Sequence, residues 1–223
     1  MKSENKSFFT ALRPRESAEE ELANTISHGF GVLFSVWALI VMVTKAAPQG
    51  PWHIVGVSLF GASLVLLYLS STIYHSISSL RLKHIFRVID HCFIFVLIAG
   101  SYMPWVLVNL RGPWGWTIFG AIWGLAIIGI LLKSFFLTRF KVLGLAIYLL
   151  MGWLMCIAIG PLLQNINPGG LIWLIAGGLS YTFGVIFFLM KNLKYSHAIW
   201  HGFVLLGSAC HVIAVLVAVI PHR

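Results

Sequence analysis

The sequence has 223 residues, of which 59% are hydrophobic and only 9% are charged. A soluble domain carries about a quarter charged residues, so this chain cannot cover a water-facing surface, and we interpret it as an integral membrane protein. The net charge of +9 does not indicate a nucleic-acid partner, because the basic residues after residue 25 lie in short clusters between long uncharged segments, as in the cytoplasmic loops of membrane proteins. Three cysteines without a CxxC pair argue against a disulfide framework or a thiolate zinc site.

The chain begins with a polar segment and continues as one transmembrane domain. Residues 1–20 predict a short cytoplasmic segment without a cleavable signal peptide, and residues 21–223 predict a seven-helix transmembrane domain. Ser17 and Glu20 fit a capping box, so the first helix is expected to begin there, before the membrane.

The spans follow from runs that lack Lys, Arg, Asp and Glu. A helix crosses the bilayer in about 20 residues, so the longest run must contain two spans, separated by the turn-forming segment from Pro161 to Gly170. The second span starts after the turn at residues 48–51. The fold class is therefore predicted to be an all-α membrane protein with seven transmembrane helices, from runs at residues 22–44, 46–80, 91–110, 112–132, 142–190 and 195–222.

The charges of the loops predict the orientation of these helices. If the N-terminus is cytoplasmic, twelve of the fifteen lysines and arginines lie on the cytoplasmic side. The positive-inside rule then places the N-terminus in the cytoplasm and the C-terminus outside, in the external or periplasmic space.

Polar side chains from three predicted helices meet at the cytoplasmic level of this topology. An ionisable side chain at the centre of a span costs about 2.5–3.5 kcal/mol and so needs a partner or a function. Ser71 and His75 end the second helix, Asp90 is expected in the first turns of the third, and His197 and His201 begin the seventh. Residues four apart share one helix face, and three imidazoles with one open position are typical of a catalytic zinc site. Alternatively, such histidines link helices through polar contacts without a metal.

A second polar group lies on the first predicted helix. Glu21, Asn24 and His28 are spaced to share one face, which indicates either a network that supports the site or an ordinary polar helix end. His211 lies about 21 Å from His197 along the seventh helix, so we expect it in the opposite leaflet and outside the site.

These motifs in this order resemble the hemolysin III family, the bacterial branch of the progestin and AdipoQ receptor family, within a superfamily of seven-helix metal-dependent hydrolases. They are ExxNxxxH at residues 21–28, SxxxH at residues 71–75, Asp90, and HxxxH at residues 197–201. The resemblance implies one zinc ion per chain held by His75, His197 and His201, with Asp90 in contact with the zinc-bound water. It also implies a location in the bacterial plasma (inner) membrane.

The resemblance implies a function as a zinc-dependent, ceramidase-like hydrolase of lipid amides or esters, with membrane lipids as substrate or ligand. Asp90 would act as the general base, and Ser71 would donate a hydrogen bond to the developing oxyanion. Two alternatives stay open: a non-enzymatic sensor or regulator of membrane state with a structural zinc, and an ion- or proton-conducting protein. The substrate, the metal and the oligomeric state are not predicted by the sequence.

Overall fold

The structure is a computed structural model that describes residues 16–137, 139–190 and 192–220, with the side chain of residue 141 left out of the description. Within these ranges the chain forms helices and no strand. Of the predicted cytoplasmic segment 1–20, residues 1–15 lie outside the described residues.

In the described part of the chain, seven helical segments are long and apolar enough to cross a membrane, which confirms the predicted all-α class with seven transmembrane helices. The fifth span consists of two α-helices joined by a 3-10 turn at Leu154–Ala158. Each of the remaining spans is built on one α-helix. In chain order the helices are α1 (Ala18–Ala46), α2 (Pro51–Ser76), α3 (Leu80–Pro104), α4 (Pro113–Phe136), α5 (Lys141–Trp153), α6 (Ile159–Asn165), α7 (Pro168–Leu189) and α8 (Ser196–Ala218).

The first turn of α1 is fixed by the predicted capping box. The backbone N–H of Glu20 donates to Oγ of Ser17 at 3.2 Å, and the backbone N–H of Ser17 donates to Oε2 of Glu20 at 2.9 Å. These two bonds satisfy donors that a helix N-terminus leaves free. The acidic residues of this turn therefore have a defined position at one end of the bundle.

Helix α3 begins earlier than the sequence analysis predicted. It starts at Leu80, and Arg81, Lys83 and Arg87 continue it instead of forming a loop. Lysine and arginine are good helix formers, so a lack of charge marks the apolar part of a helix and not its first residue. Asp90 consequently lies ten residues into α3, about 15 Å from its start and not in its first turns.

The break between the fifth and sixth spans is shorter than predicted. Pro161 lies within the first turn of α6, where proline costs little because its missing N–H would have no helical partner. The turn is confined to Ile166 and Asn167, and Oδ1 of Asn167 caps α7 by accepting from the backbone N–H of Gly170 at 2.7 Å.

The helices pack so that α1 lies against both α2 and α8. Neighbouring spans contact each other in chain order, and α8 closes the arrangement against α1 and α7. Spans two and three are the most buried, whereas large apolar side chains of α1, α4 and α7 are exposed, as expected for surfaces that face lipid. One end of α1 is thereby held between the C-terminus of α2 and the N-terminus of α8.

Candidate metal centre

Three histidines from two helices meet where α2 ends and α8 begins. His75 is next to the last residue of α2, and His197 and His201 lie in the first two turns of α8. Each offers a ligand atom, and these atoms all lie within 4.8 Å of one another. The ring centroid of His75 lies 5.1 Å from that of His197 and 5.2 Å from that of His201. The three side chains therefore form a cluster that could hold a metal ion.

The hydrogen bonding of His75 fits a metal ligand. Its Nδ1 lies 2.8 Å from Oε2 of Glu21, and an ionised carboxylate can only accept, so Nδ1 carries the proton. Its Nε2 is buried and has no hydrogen-bond partner among the described residues. A neutral imidazole with a buried, unpartnered lone pair and a carboxylate on its other nitrogen is the arrangement that proteins use for metal-binding histidines.

A buried lysine balances the charge of Glu21. Nζ of Lys83 lies 2.8 Å from Oε1 of Glu21 and also donates to the carbonyl of Tyr74 at 3.3 Å. The lysine is only 8% exposed, so its charge is largely shielded from water and its attraction to the carboxylate is stronger than that of a surface pair. The sequence analysis missed this role because Lys83 was assigned to a basic loop.

Glu16, which precedes α1, brings a second carboxylate to the cluster. Its Oε1 lies 3.7 Å from Nδ1 of His197, and its Oε2 accepts from Nδ2 of Asn24 at 2.7 Å. Burial raises the pKa of Glu16, although the neighbouring charges of His75 and Lys83 act in the opposite direction. Glu16 also went unnoticed in the sequence, where it is one of several acidic residues around the capping box.

The polar face of α1 is turned toward the histidines. Glu21 and Asn24 make the contacts just described, and the ring of His28 stacks on His201 with centroids 3.4 Å apart. His28 also meets the ring of Tyr68 edge-on at 5.1 Å, and neither of its nitrogens has a hydrogen-bond partner in the described part of the chain. Ser27, which the sequence analysis did not consider, lies 3.0 Å through its Oγ from Nδ1 of His201.

Asp90 and Ser71 are buried close to the same level of the bundle. The carboxylate of Asp90 lies 3.5 Å from Nδ1 of His91, and its charge also acts on His75 and His28. Asp90 is not part of the group of ligand atoms formed by the three histidines. Oγ of Ser71, one helical turn before His75, is buried without a partner among the described residues.

The fold and the cluster together define a class: a seven-helix integral membrane protein with a three-histidine cluster at one end of the bundle. The chain belongs to the haemolysin-III related family, whose model matches residues 16–212. This confirms the resemblance drawn from the four motifs.

Individual relatives agree with this assignment. The chain is 45% identical to hemolysin-3 of Bacillus cereus, over 94% of this chain and 96% of the relative. It is 47% identical to the hemolysin-3 homolog of Bacillus subtilis (strain 168), over 89% and 93% of the two chains. It is also 30% identical to the human monocyte to macrophage differentiation factor, over 91% of this chain and 86% of the relative. The similarity thus includes nearly all of the seven-helix domain.

Proposed function

We propose that the protein is a zinc-dependent hydrolase of lipid amide or ester bonds in a bacterial plasma membrane. The observation that carries the proposal is the cluster of His75, His197 and His201, in which the buried Nε2 of His75 has no hydrogen-bond partner among the described residues. Three neutral imidazoles with one further position open are the ligand set of catalytic zinc sites. Bound there, zinc would polarise a carbonyl group and lower the pKa of a water molecule.

The residues around the cluster supply the proton transfers that amide or ester hydrolysis requires. Asp90, as a buried carboxylate near His75, would accept the proton of the attacking water and later deliver it to the leaving group. The buried hydroxyl of Ser71 has no partner in the described part of the chain and would donate a hydrogen bond to the carbonyl oxygen as negative charge develops on it.

The proposed orientation places this chemistry at the cytoplasmic leaflet. With the N-terminus in the cytoplasm, the cluster lies at the cytoplasmic end of α1, α2 and α8. The same end of α1 exposes Leu22, Ile26 and Phe30 by 50–64%, so the side of α1 away from the histidines is suited to contact acyl chains. A membrane lipid would enter sideways between the helices, with its amide or ester group near the headgroup level where the histidines are.

The test is hydrolysis by the purified, zinc-loaded protein in lipid vesicles, with ceramides and other lipid amides and esters as substrates. Loss of a general base lowers turnover by about 10²- to 10⁴-fold, so Asp90→Asn should lower activity in this range while its zinc content stays unchanged. Glu19→Gln, at an exposed position of α1, is the control and should retain full activity.

The two alternative functions give different results in the same preparation. Zinc-loaded wild-type protein that hydrolyses no lipid amide or ester would contradict the proposal and favour a sensor with structural zinc. Metal-free protein that carries ion flux across the vesicle membrane would favour an ion-conducting protein.

A further inference from the structure

All three histidines of the cluster meet a polar side chain of the α1 region at the same ring atom, Nδ1. The partners are Glu21 for His75, Ser27 for His201 and Glu16 for His197. A neutral histidine carries one proton on either Nδ1 or Nε2, and the bond made by one nitrogen decides which nitrogen can bind a metal. Whether each partner side chain accepts a hydrogen bond therefore decides which ring nitrogen of its histidine carries the proton.

The partner of His75 can only accept hydrogen bonds. Both oxygens of Glu21 are used, Oε2 by Nδ1 of His75 at 2.8 Å and Oε1 by Nζ of Lys83 at 2.8 Å. A lysine ammonium is a donor only, so its contact keeps the carboxylate ionised and oriented. The proton of His75 is thereby held on Nδ1.

The partner of His201 also has to accept, because its own hydrogen is already used. Oγ of Ser27 donates its one hydrogen to the backbone carbonyl of Asn24 at 2.9 Å. With that hydrogen on the carbonyl, the contact of 3.0 Å between Ser27 Oγ and His201 Nδ1 is a hydrogen bond donated by the imidazole nitrogen. His201 is thus in the same tautomer as His75.

For His197 the α1 region supplies a negative charge. Oε1 of Glu16 lies 3.7 Å from Nδ1, which is longer than a hydrogen bond but close enough to favour a proton on that nitrogen. Two hydrogen bonds fix the chain around the start of α1. The side-chain amide of Asn24 donates to Oε2 of Glu16 at 2.7 Å, and the backbone N–H of Tyr195 donates to Oε1 of Glu20 at 3.0 Å.

From these contacts we infer that α1 positions the metal site: Glu21, Ser27 and Glu16 hold the ring protons of the three histidines on Nδ1, so that all three bind the metal through Nε2. The inference rests on the metal site of the proposed function. In this inference Glu21, Ser27 and Glu16 are positioning residues, because they would act on the metal through the histidines. Outer partners of this kind raise metal affinity by about 10- to 100-fold.

The test uses the full-length protein in detergent and measures zinc affinity by competition with a chelator. Glu21→Gln leaves one acceptor oxygen for two donors, His75 and Lys83. The zinc affinity should therefore fall by about 10- to 100-fold. Ser27→Ala removes the hydroxyl that contacts Nδ1 of His201 and should also weaken binding. Glu19→Gln and Thr25→Ala are matched controls on the same helix, since Glu19 faces Lys194 and Thr25 bonds to the carbonyl of Glu21.

A spectroscopic measurement on the wild type makes the test independent of how well the variants fold. In zinc-loaded protein with ¹⁵N-labelled histidine, His75, His197 and His201 should each show a protonated Nδ1 and a metal-bound Nε2. A ligand histidine bound through Nδ1, or variants whose zinc affinity equals that of the controls, would overturn the inference and leave the proposed zinc site standing. Wild-type protein that binds no zinc would overturn the proposed function itself, and the inference with it.

Discussion

Helix α8 carries two buried histidine regions about 15 Å apart along its axis, and their surroundings differ. His201 lies in the cluster described above, the inner cluster, where histidines from two helices meet two carboxylates. His211 packs edge-on against Tyr181, with ring centroids 5.4 Å apart, and beside it Ser208 Oγ lies 2.7 Å from the hydroxyl of Tyr68 and 2.8 Å from that of Tyr181. We call His211, Tyr181, Ser208 and Tyr68 the distal cluster.

A buried histidine indicates a metal site only where other ligand groups converge on it. Zinc in proteins takes imidazole, thiolate and carboxylate ligands. The inner cluster offers a set of these, whereas the groups just described around His211 are hydroxyls. The distal cluster joins α2, α7 and α8 through hydroxyl hydrogen bonds, and its role is to hold the helices together.

The largest expected effect is the loss of bound metal when the inner cluster is broken. The double variant His75→Ala, His197→Ala removes two of three ligands and should reduce zinc from near one ion per chain to almost none, as measured by elemental analysis of purified protein. His211→Ala is the matched control from the distal cluster and should retain the wild-type zinc content. Equal loss in both variants would show that the two regions do not differ in the way proposed.

Metal removal should destabilise the protein through the inner cluster alone. A ligand at 100 times its dissociation constant stabilises the folded state by about 2.7 kcal/mol, so a strong chelator should lower the thermal unfolding midpoint of the wild type. The His75→Ala, His197→Ala variant should unfold at the same temperature with and without the chelator, and His211→Ala should keep the response. A chelator-insensitive wild type would contradict the prediction.

The sequence predicted the seven spans and the helix ends that bring His75 and His197 together, because hydropathy, turn residues and four-residue spacing are local properties. It did not predict that α3 begins at Leu80, since charged residues extend a helix beyond its apolar part. It also missed Glu16, Ser27 and Lys83, whose contacts cross between distant parts of the chain. Acidic, hydroxyl and basic residues near helix ends have ordinary roles as caps and loop charges, so only the packing of α1 against α2 and α8 distinguishes them.

Two glycines allow the comparison to be made by packing, one beside Tyr68, the member of the distal cluster that also meets His28, and one beside His211. A Cβ at Gly31 would meet the ring of Tyr68, and a Cβ at Gly177 would meet the ring of His211. Overpacking costs about 1–3 kcal/mol, so Gly31→Ala and Gly177→Ala should both lower the unfolding midpoint. Only Gly31→Ala should also weaken zinc binding, because Tyr68 packs against His28 and His28 stacks on His201.

The control for both glycine variants is Gly29→Ala, where a Cβ would meet no atom of the described residues within 4 Å. Alanine in a helix is favoured over glycine by roughly 0.5–1 kcal/mol, so this variant should be as stable as the wild type or slightly more stable. If Gly177→Ala weakened zinc binding as much as Gly31→Ala, the whole distal cluster, and not Tyr68 alone, would be coupled to the inner cluster.

The smallest effect is expected on the exposed side of α1, where Glu19 accepts from Nζ of Lys194 at 3.1 Å. The hydrogen bond from Lys194 to Glu19 raises the pKa of the lysine. A raised lysine pKa stabilises the folded state at low pH, and this stabilisation is lost as the pH rises through that pKa. Around neutral pH the pair therefore makes a constant contribution to the stability of the folded state. Exposed pairs contribute little in water, so Glu19→Gln should leave the unfolding midpoint and zinc affinity unchanged.

The measurable change in Glu19→Gln is a lower pKa of Lys194, followed by NMR titration of labelled lysine side chains. Glu19 and Glu21 lie two residues apart in the same turn, but Glu19 faces solvent and Glu21 faces His75. The same substitution at the two positions therefore separates negative charge at the end of α1 from direct contact with a histidine. If Glu19→Gln weakened zinc binding as strongly as Glu21→Gln, the charge of the α1 terminus, and not the bond to Nδ1 of His75, would determine metal affinity.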